Sequence, residues 1–138
     1  LPKRYFTVFD VPTREVRGEH AHRTCHQFLV CARGQVNLVV DNGQSREELV
    51  LDSPGLGVHI PPMIWAVQYR YSSEAVLLVL ASEAYDATDY VRDYEEFRRL
   101  CHSGPLGISA TFSIRTASAM TYPLAALVSR TVRLPLVI

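Results

Sequence analysis

The sequence predicts an all-β domain, a small barrel or sandwich with one short helix laid against it near residues 86–100. Three observations carry this. About six short strand-like runs recur at roughly 8–12-residue spacing with turn signals between them. An Asn42-Gly43 step sits between two β-rich runs, the strongest short-range hairpin signal. The apolar period then changes from strand to helix once, after residue 86.

The first run, Arg4-Tyr5-Phe6-Thr7-Val8-Phe9, is aromatic and β-branched and stops at Pro12, which cannot donate to a ladder. Residues 27–32 form an apolar strand closed by Arg33-Gly34. Residues 35–40 and 47–51 flank the Asn-Gly turn, and Asp52-Ser53-Pro54-Gly55 ends that hairpin. Val58-His59-Ile60 runs into Pro61-Pro62, residues 65–71 alternate bulky and polar side chains, and residues 75–81 are continuously apolar. Tyr90, Val91, Tyr94, Phe97 and Leu100 lie at helical offsets, with Asp86 or Thr88 as the expected cap.

Composition narrows the function classes. At 138 residues the chain suits one domain, and its 48% apolar and 20% charged residues are globular proportions. No run of 18 apolar residues occurs, so no spanning helix or other membrane partner is expected. A net charge of zero supplies no basic excess for nucleic acid. The balance hides a split: all 14 acidic residues lie at or before Glu96, leaving the last 37 residues without one. Residues 102–138 are therefore read as an atypical tail, non-native to the fold or disordered, and residues 1–101 as the domain. Cys25, Cys31 and Cys101 are too few and too irregular for a disulfide framework or a zinc site, which points to a reducing cytoplasm.

The chemistry concentrates in Arg17-Gly18-Glu19-His20-Ala21-His22-Arg23-Thr24-Cys25-His26-Gln27. Residues two apart on a strand face one side, so His20 and His22 project together. Paired imidazoles on one wall suit metal ligation or proton transfer near neutral pH. A surface pair at a strand entry is the plain alternative. Arg17 and Arg23 flank the pair, but strict alternation sets them opposite to it unless Gly18 bends the strand.

The spacing His20-x-His22, then Gln27, then Gly34 resembles the first signature of the cupin superfamily, a jelly-roll barrel. Metal-binding cupins add a glutamate and a later histidine. Gln27 stands at the first of those positions and Ala66 near the second, so the resemblance disfavours a metal. His26 and His59 remain spare imidazoles, and alternation would put His26 beside the pair.

Five ordered motifs narrow the resemblance: Arg17-Gly18-Glu19-His20-Ala21-His22, Leu51-Asp52-Ser53-Pro54, Ile60-Pro61-Pro62-Met63-Ile64-Trp65, Ala81-Ser82-Glu83-Ala84-Tyr85-Asp86, and Asp89-Tyr90-Val91-Arg92-Asp93-Tyr94-Glu95-Glu96-Phe97. Together they resemble the dTDP-4-oxo-6-deoxy-D-glucose 3,4-ketoisomerases, sugar-nucleotide cupins without a metal. The resemblance implies transfer of a carbonyl from C4 to C3 of a dTDP-linked 4-oxo-6-deoxyhexose for deoxy- and amino-sugar synthesis, without a cofactor. It also implies a homodimer with exchanged N-terminal strands, and the strands that open other members are expected to be missing here.

On this reading His22 is the base at C3, delivering to C4, and His20 the proton shuttle or oxyanion partner, with the order within the pair open. Arg17, Arg23 and Arg92 are candidates for the diphosphate. Trp65 is a stacking candidate, Tyr5 and Phe6 are sugar neighbours of which only one faces inward, and Gln27 completes the pocket. Two alternatives remain: a non-catalytic sugar-binding cupin, and a sugar-nucleotide epimerase that would need a His–Asp dyad. The sequence offers no Asp convincingly paired to either histidine. A metal-dependent dioxygenase would require a bound ion.

Overall fold

Ten strands and one helix make up a computed structural model that describes residues 1–103 and the short strand 131–133. The strands are β1 (Arg4–Phe9), β2 (Arg17–His22), β3 (Gln27–Arg33), β4 (Val36–Asp41), β5 (Arg46–Leu51), β6 (Leu56–Ile60), β7 (Trp65–Tyr69), β8 (Val76–Ala81), β9 (Tyr90–Val91) and β10 (Thr131–Arg133). They form two five-stranded antiparallel sheets, ordered β1-β8-β3-β6-β10 and β5-β4-β7-β2-β9, packed face to face as the expected jelly roll. The proposed tail, 102–138, lies almost wholly outside the described residues.

Alternation decides what each sheet buries. Leu29 and Cys31 of β3, Leu77 and Val79 of β8, and Val58 and Ile60 of β6 meet Val36, Leu38 and Val40 of β4 and Leu51 of β5 in one core. Full burial of each such aliphatic side chain stabilises the fold by roughly 1.5–3 kcal/mol. The hairpin between β4 and β5 turns where the Asn-Gly step predicts. Gly43 takes φ +86°, and Asn42 Oδ1 accepts from the backbone of Gln44 and Ser45.

A second, smaller core lies on the outer face of the second sheet. There Ala21, Trp65 and Val91 bury Phe97 of helix α1 (Tyr94–His102). Tyr94 Oη donates to Asp41 Oδ2 at 2.8 Å, and Arg23 reaches Glu96 at 2.6 Å, so the helix is tied to β4 and to the end of β2.

The helix departs from its expected limits. It starts eight residues later than 86, capped by Asp93, whose side chain accepts from Glu96 N at 2.6 Å. Asp86 instead caps a 3-10 turn at Ala87–Asp89, and Tyr90-Val91 is a strand paired to His22 and Ala21. The helical period at Tyr90 and Val91 was overridden because the free edge of β2 takes up their backbone groups.

Candidate active site

Gly18 and Glu19 shape the wall that carries the histidines. Both take positive φ, +84° and +53°, and the β2–β7 register shifts between Gly18 and His20. A Cβ at Gly18 would stand 2.7 Å from Ala66 O, so only glycine allows β2 to approach β7 this closely. Beyond the bulge, Ala21 points to the helix while His20 and His22 face the space between the sheets. The rings sit edge to face, with centroids 5.0 Å apart and planes at 85°.

The hydrogen bonds define both tautomers. His20 Nδ1 lies 2.8 Å from Gly18 O, and a carbonyl only accepts, so Nδ1 carries the proton. His22 Nδ1 lies 2.8 Å from Asp89 Oδ2 and donates to that carboxylate. Each ring therefore presents an unprotonated Nε2. The amide nitrogen of Gln27 donates to His22 Nε2 across 3.1 Å.

This corrects the expectation that no Asp pairs with the histidines. Asp89 is 67 residues from His22 in sequence and reaches it because β9 pairs with β2. Its carboxylate also accepts from Thr24 N at 2.7 Å, Thr24 Oγ1 at 2.8 Å and Cys25 N at 3.3 Å. Burial works to raise the Asp89 pKa, but the bonds from Thr24, His22 and Cys25 prevail and hold it below the ordinary carboxylate value. Burial lowers the pKa of His22, opposed by Asp89 and assisted by Arg4 and Arg92. Burial also lowers His20, against the Gly18 carbonyl and with help from His22 and Arg92. Both rings are thus kept neutral at physiological pH.

Around the pair stands a wall of aromatic rings and guanidinium groups. The Tyr90 ring lies 4.3 Å from that of His22 and 4.9 Å from that of His20. Arg92 stacks on Tyr90 at 4.3 Å. Arg4 covers Phe6 at 5.3 Å and Tyr85 at 5.5 Å, and its Nη2 donates to Tyr90 Oη at 3.4 Å. Neither Arg4 nor Arg92 has a carboxylate partner among the described residues, and Arg4 Nε is buried without an acceptor.

The structure brings together His20, His22, Gln27, Arg92 and Phe6 from the sequence candidates. Phe6 shares the inward face of β1 with Arg4, whereas Tyr5 points outward and is 75% exposed. The bulge does turn Arg17 to the inner face, opposite Gln68, but its guanidinium is bound to Glu15 at 2.6 Å. Arg23 is engaged with Glu96. Trp65 belongs to the opposite side of β7, packed 5.2 Å from Tyr94 and 5.6 Å from Phe97 under the helix, so it does not face the histidines. His26 leaves their face as well: its Nδ1 lies 3.0 Å from Nε2 of His59 on the outside of the first sheet.

Sequence reading missed Asp89, Arg4, Tyr85 and Tyr90. Arg4 was legible from its shared parity with Phe6, but Asp89 and Tyr90 looked like positions on a helix. His22, Cys25 and Asp89 offer donor atoms within 4.8 Å of one another, the one such group among the described residues. Their geometry does not suit an ion: His22 Nδ1 and Asp89 Oδ2 bond to each other, and both Asp89 oxygens are already held by Thr24 and Cys25.

Two imidazoles with unprotonated Nε2 thus stand in a cupin-type jelly roll beside two guanidinium groups that have no carboxylate partner among the described residues. Residues 1–102 match the FdtA family (WxcM-like, C-terminal), and the chain belongs to it. It is 41% identical over 97 residues to the TDP-4-oxo-6-deoxy-alpha-D-glucose-3,4-oxoisomerase of Aneurinibacillus thermoaerophilus, covering 70% of each chain. The 3,4-ketoisomerase QdtA of Thermoanaerobacterium thermosaccharolyticum, solved as a mutant with TDP-4-keto-6-deoxyglucose, is 32% identical with a TM-score of 0.73 over 76% of each chain. The Campylobacter jejuni TDP-quinovose 3,4-ketoisomerase WlaRB is 37% identical with a TM-score of 0.68, over 70% of this chain and 75% of that one.

Proposed function

We infer that this chain is a 3,4-ketoisomerase of a TDP-linked 4-keto-6-deoxyhexose in deoxysugar biosynthesis. The observation that carries the reading is the pair of neutral imidazoles, each with Nδ1–H anchored and Nε2 unprotonated, that of His22 accepting from the Gln27 amide, beside Arg4, Arg92 and Tyr90.

The C4 carbonyl acidifies the C3–H. One imidazole takes that proton on Nε2, the C3–H pair becomes the C3=C4 bond, and the carbonyl pair moves to O4. The other imidazole relays a proton from the C3 hydroxyl to O4. The first then returns its proton to C4 as the carbonyl forms at C3. Protons and electron pairs balance within the sugar, so the reaction needs no redox partner. A positioned imidazole contributes roughly 10²–10⁴-fold to such a transfer. Gln27, beside His22 Nε2, has its amide placed to donate to the oxygen that gains charge.

Arg4 and Arg92 serve the diphosphate. Stacking on aromatic rings fixes each guanidinium; Arg4 keeps one of its two terminal nitrogens for phosphate oxygens beside the Nη2 that donates to Tyr90, and Arg92 offers its fork. The chain acts as a homodimer on this reading. The outer face of the first sheet, with Tyr5, Phe9, Phe28, Leu78 and Leu80, is apolar enough to pair with a second copy. Three free cysteines, two of them buried, suit the cytoplasm. Among the described residues no helix is long and apolar enough to cross a membrane.

Incubation with TDP-4-keto-6-deoxyglucose, followed by proton NMR of the sugar, tests the reading. A carbonyl appearing at C3 supports it. An epimerised sugar with the carbonyl still at C4, or binding without loss of the C3 proton in heavy water, overturns it.

A further inference from the structure

We propose that Asp89 is a positioning residue that makes His22, rather than His20, the base of the reaction. This rests on the ketoisomerase reading and resolves the order within the pair.

The two imidazoles differ in what stands behind Nδ1. His20 donates to the neutral carbonyl of Gly18, His22 to the carboxylate of Asp89. When an imidazole takes the C3 proton it becomes a cation in a largely buried site. A carboxylate bonded to it stabilises that cation, through a charge-assisted bond roughly twice as strong as a neutral one. His20 gains a cation without such support, next to a second imidazole and Arg92.

The carboxylate is also held still. Two backbone N–H groups and one hydroxyl, from Thr24 and Cys25, bind it, so its oxygen stays aimed at Nδ1 while the His22 ring changes charge. It stays ionised as well, because those donors favour its charged form. The groups facing His22 are Arg4 from β1, His20 from its own strand, Tyr90 from β9, Arg92 just beyond it, the Gln27 amide from β3, the Cys25 thiol and Asp89. Asp89 is the one carboxylate among them, so its loss leaves His22 beside two guanidinium groups with no carboxylate to offset them.

The test is Asp89→Asn, with Thr24→Val as a milder companion that keeps the carboxylate and removes one donor. Wild type, H20N and H22N are measured alongside, and thermal unfolding establishes that each variant is folded. D89N is expected to lose about 10²–10⁴-fold in kcat, the range of a positioned acid–base group, with KM nearly unchanged. The acid limb of its kcat/KM profile moves to lower pH, because His22 has lost the charge that raises its proton affinity. Thr24→Val shows a smaller loss in the same direction.

NMR titration of the His22 ring reads the same coupling without turnover: its pKa falls in D89N while that of His20 hardly moves. A wild-type kcat and acid limb in D89N, a loss confined to KM, or an unmoved His22 titration overturns the proposal. Failure of the ketoisomerase reading shows separately, as wild-type protein that leaves the sugar's carbonyl at C4.

Discussion

The ring of Tyr90 touches both Arg92 and His22, with the guanidinium 4.3 Å from the ring centre and the imidazole at the same 4.3 Å. On the proposed reading, a cation fixed on an aromatic ring that also contacts the imidazole can attract the substrate's anion without bonding to the imidazole itself. Arg92→Ala and Arg4→Ala should therefore act on binding. Each removes about 1.5–3 kcal/mol of charge-assisted hydrogen bonding, or roughly 10–100-fold in affinity for TDP, with a smaller change in kcat. Isothermal titration with TDP and steady-state kinetics check this; a loss confined to kcat contradicts it.

The histidines should behave differently. His22→Asn is expected to lower turnover by at least about 10²-fold while TDP binding persists, since a base contributes at that scale and does not touch the nucleotide. NMR of the sugar gives turnover and titration gives binding. Activity close to wild type removes His22 from the mechanism.

The pH response follows from the lowered pKa values of His20, His22 and His59, each depressed first by burial. The unfolded chain takes up protons as pH falls through 6.5, whereas these folded imidazoles do not until lower pH. Stability should therefore decline as pH drops below 6.5 toward the folded values, and kcat/KM should hold its neutral plateau to below 6.5. Asp89 acts in a lower window: its depressed pKa stabilises the fold above about 3.8 and is lost as pH falls through the folded value. Urea midpoints measured from pH 8 to 4 check the first window; a midpoint that rises on acidification contradicts it.

Gly18→Ala tests the bulge. The new methyl would meet Ala66 O at 2.7 Å in a backbone at φ +84°. A loss of about 1–3 kcal/mol in stability is expected, of the size of backbone strain, together with lower kcat as His20 shifts. Phe97→Ala should cost more stability, about 3–5 kcal/mol, because its ring is fully buried under the second sheet. Chemical denaturation measures both, and an unaffected midpoint in either would contradict the packing described.

What the sequence made legible was governed by local rules. The Asn42-Gly43 turn, the strands around it and the common face of His20 and His22 all follow from backbone preference and alternation. Segment 86–92 was not legible, because its helical spacing is real. Tertiary pairing with β2, and the claim of Thr24 and Cys25 on the Asp89 carboxylate, override that spacing. Trp65 was misread for a related reason. Alternation along β7 gives two faces, but nothing local says which is covered by the helix. Gly18 carried a hint that was only partly usable: the bend turned Arg17 inward, toward Glu15 rather than toward the imidazoles.

Asp89, Tyr90 and Arg92 come from one stretch of four residues, joined to the barrel by a two-residue strand. Orientation of the imidazole, the flat wall beside it and the guanidinium held on that wall are thereby inherited together. A small slide of this strip past β2 would alter all three at once, and exchanging it between relatives would carry them over as a single unit.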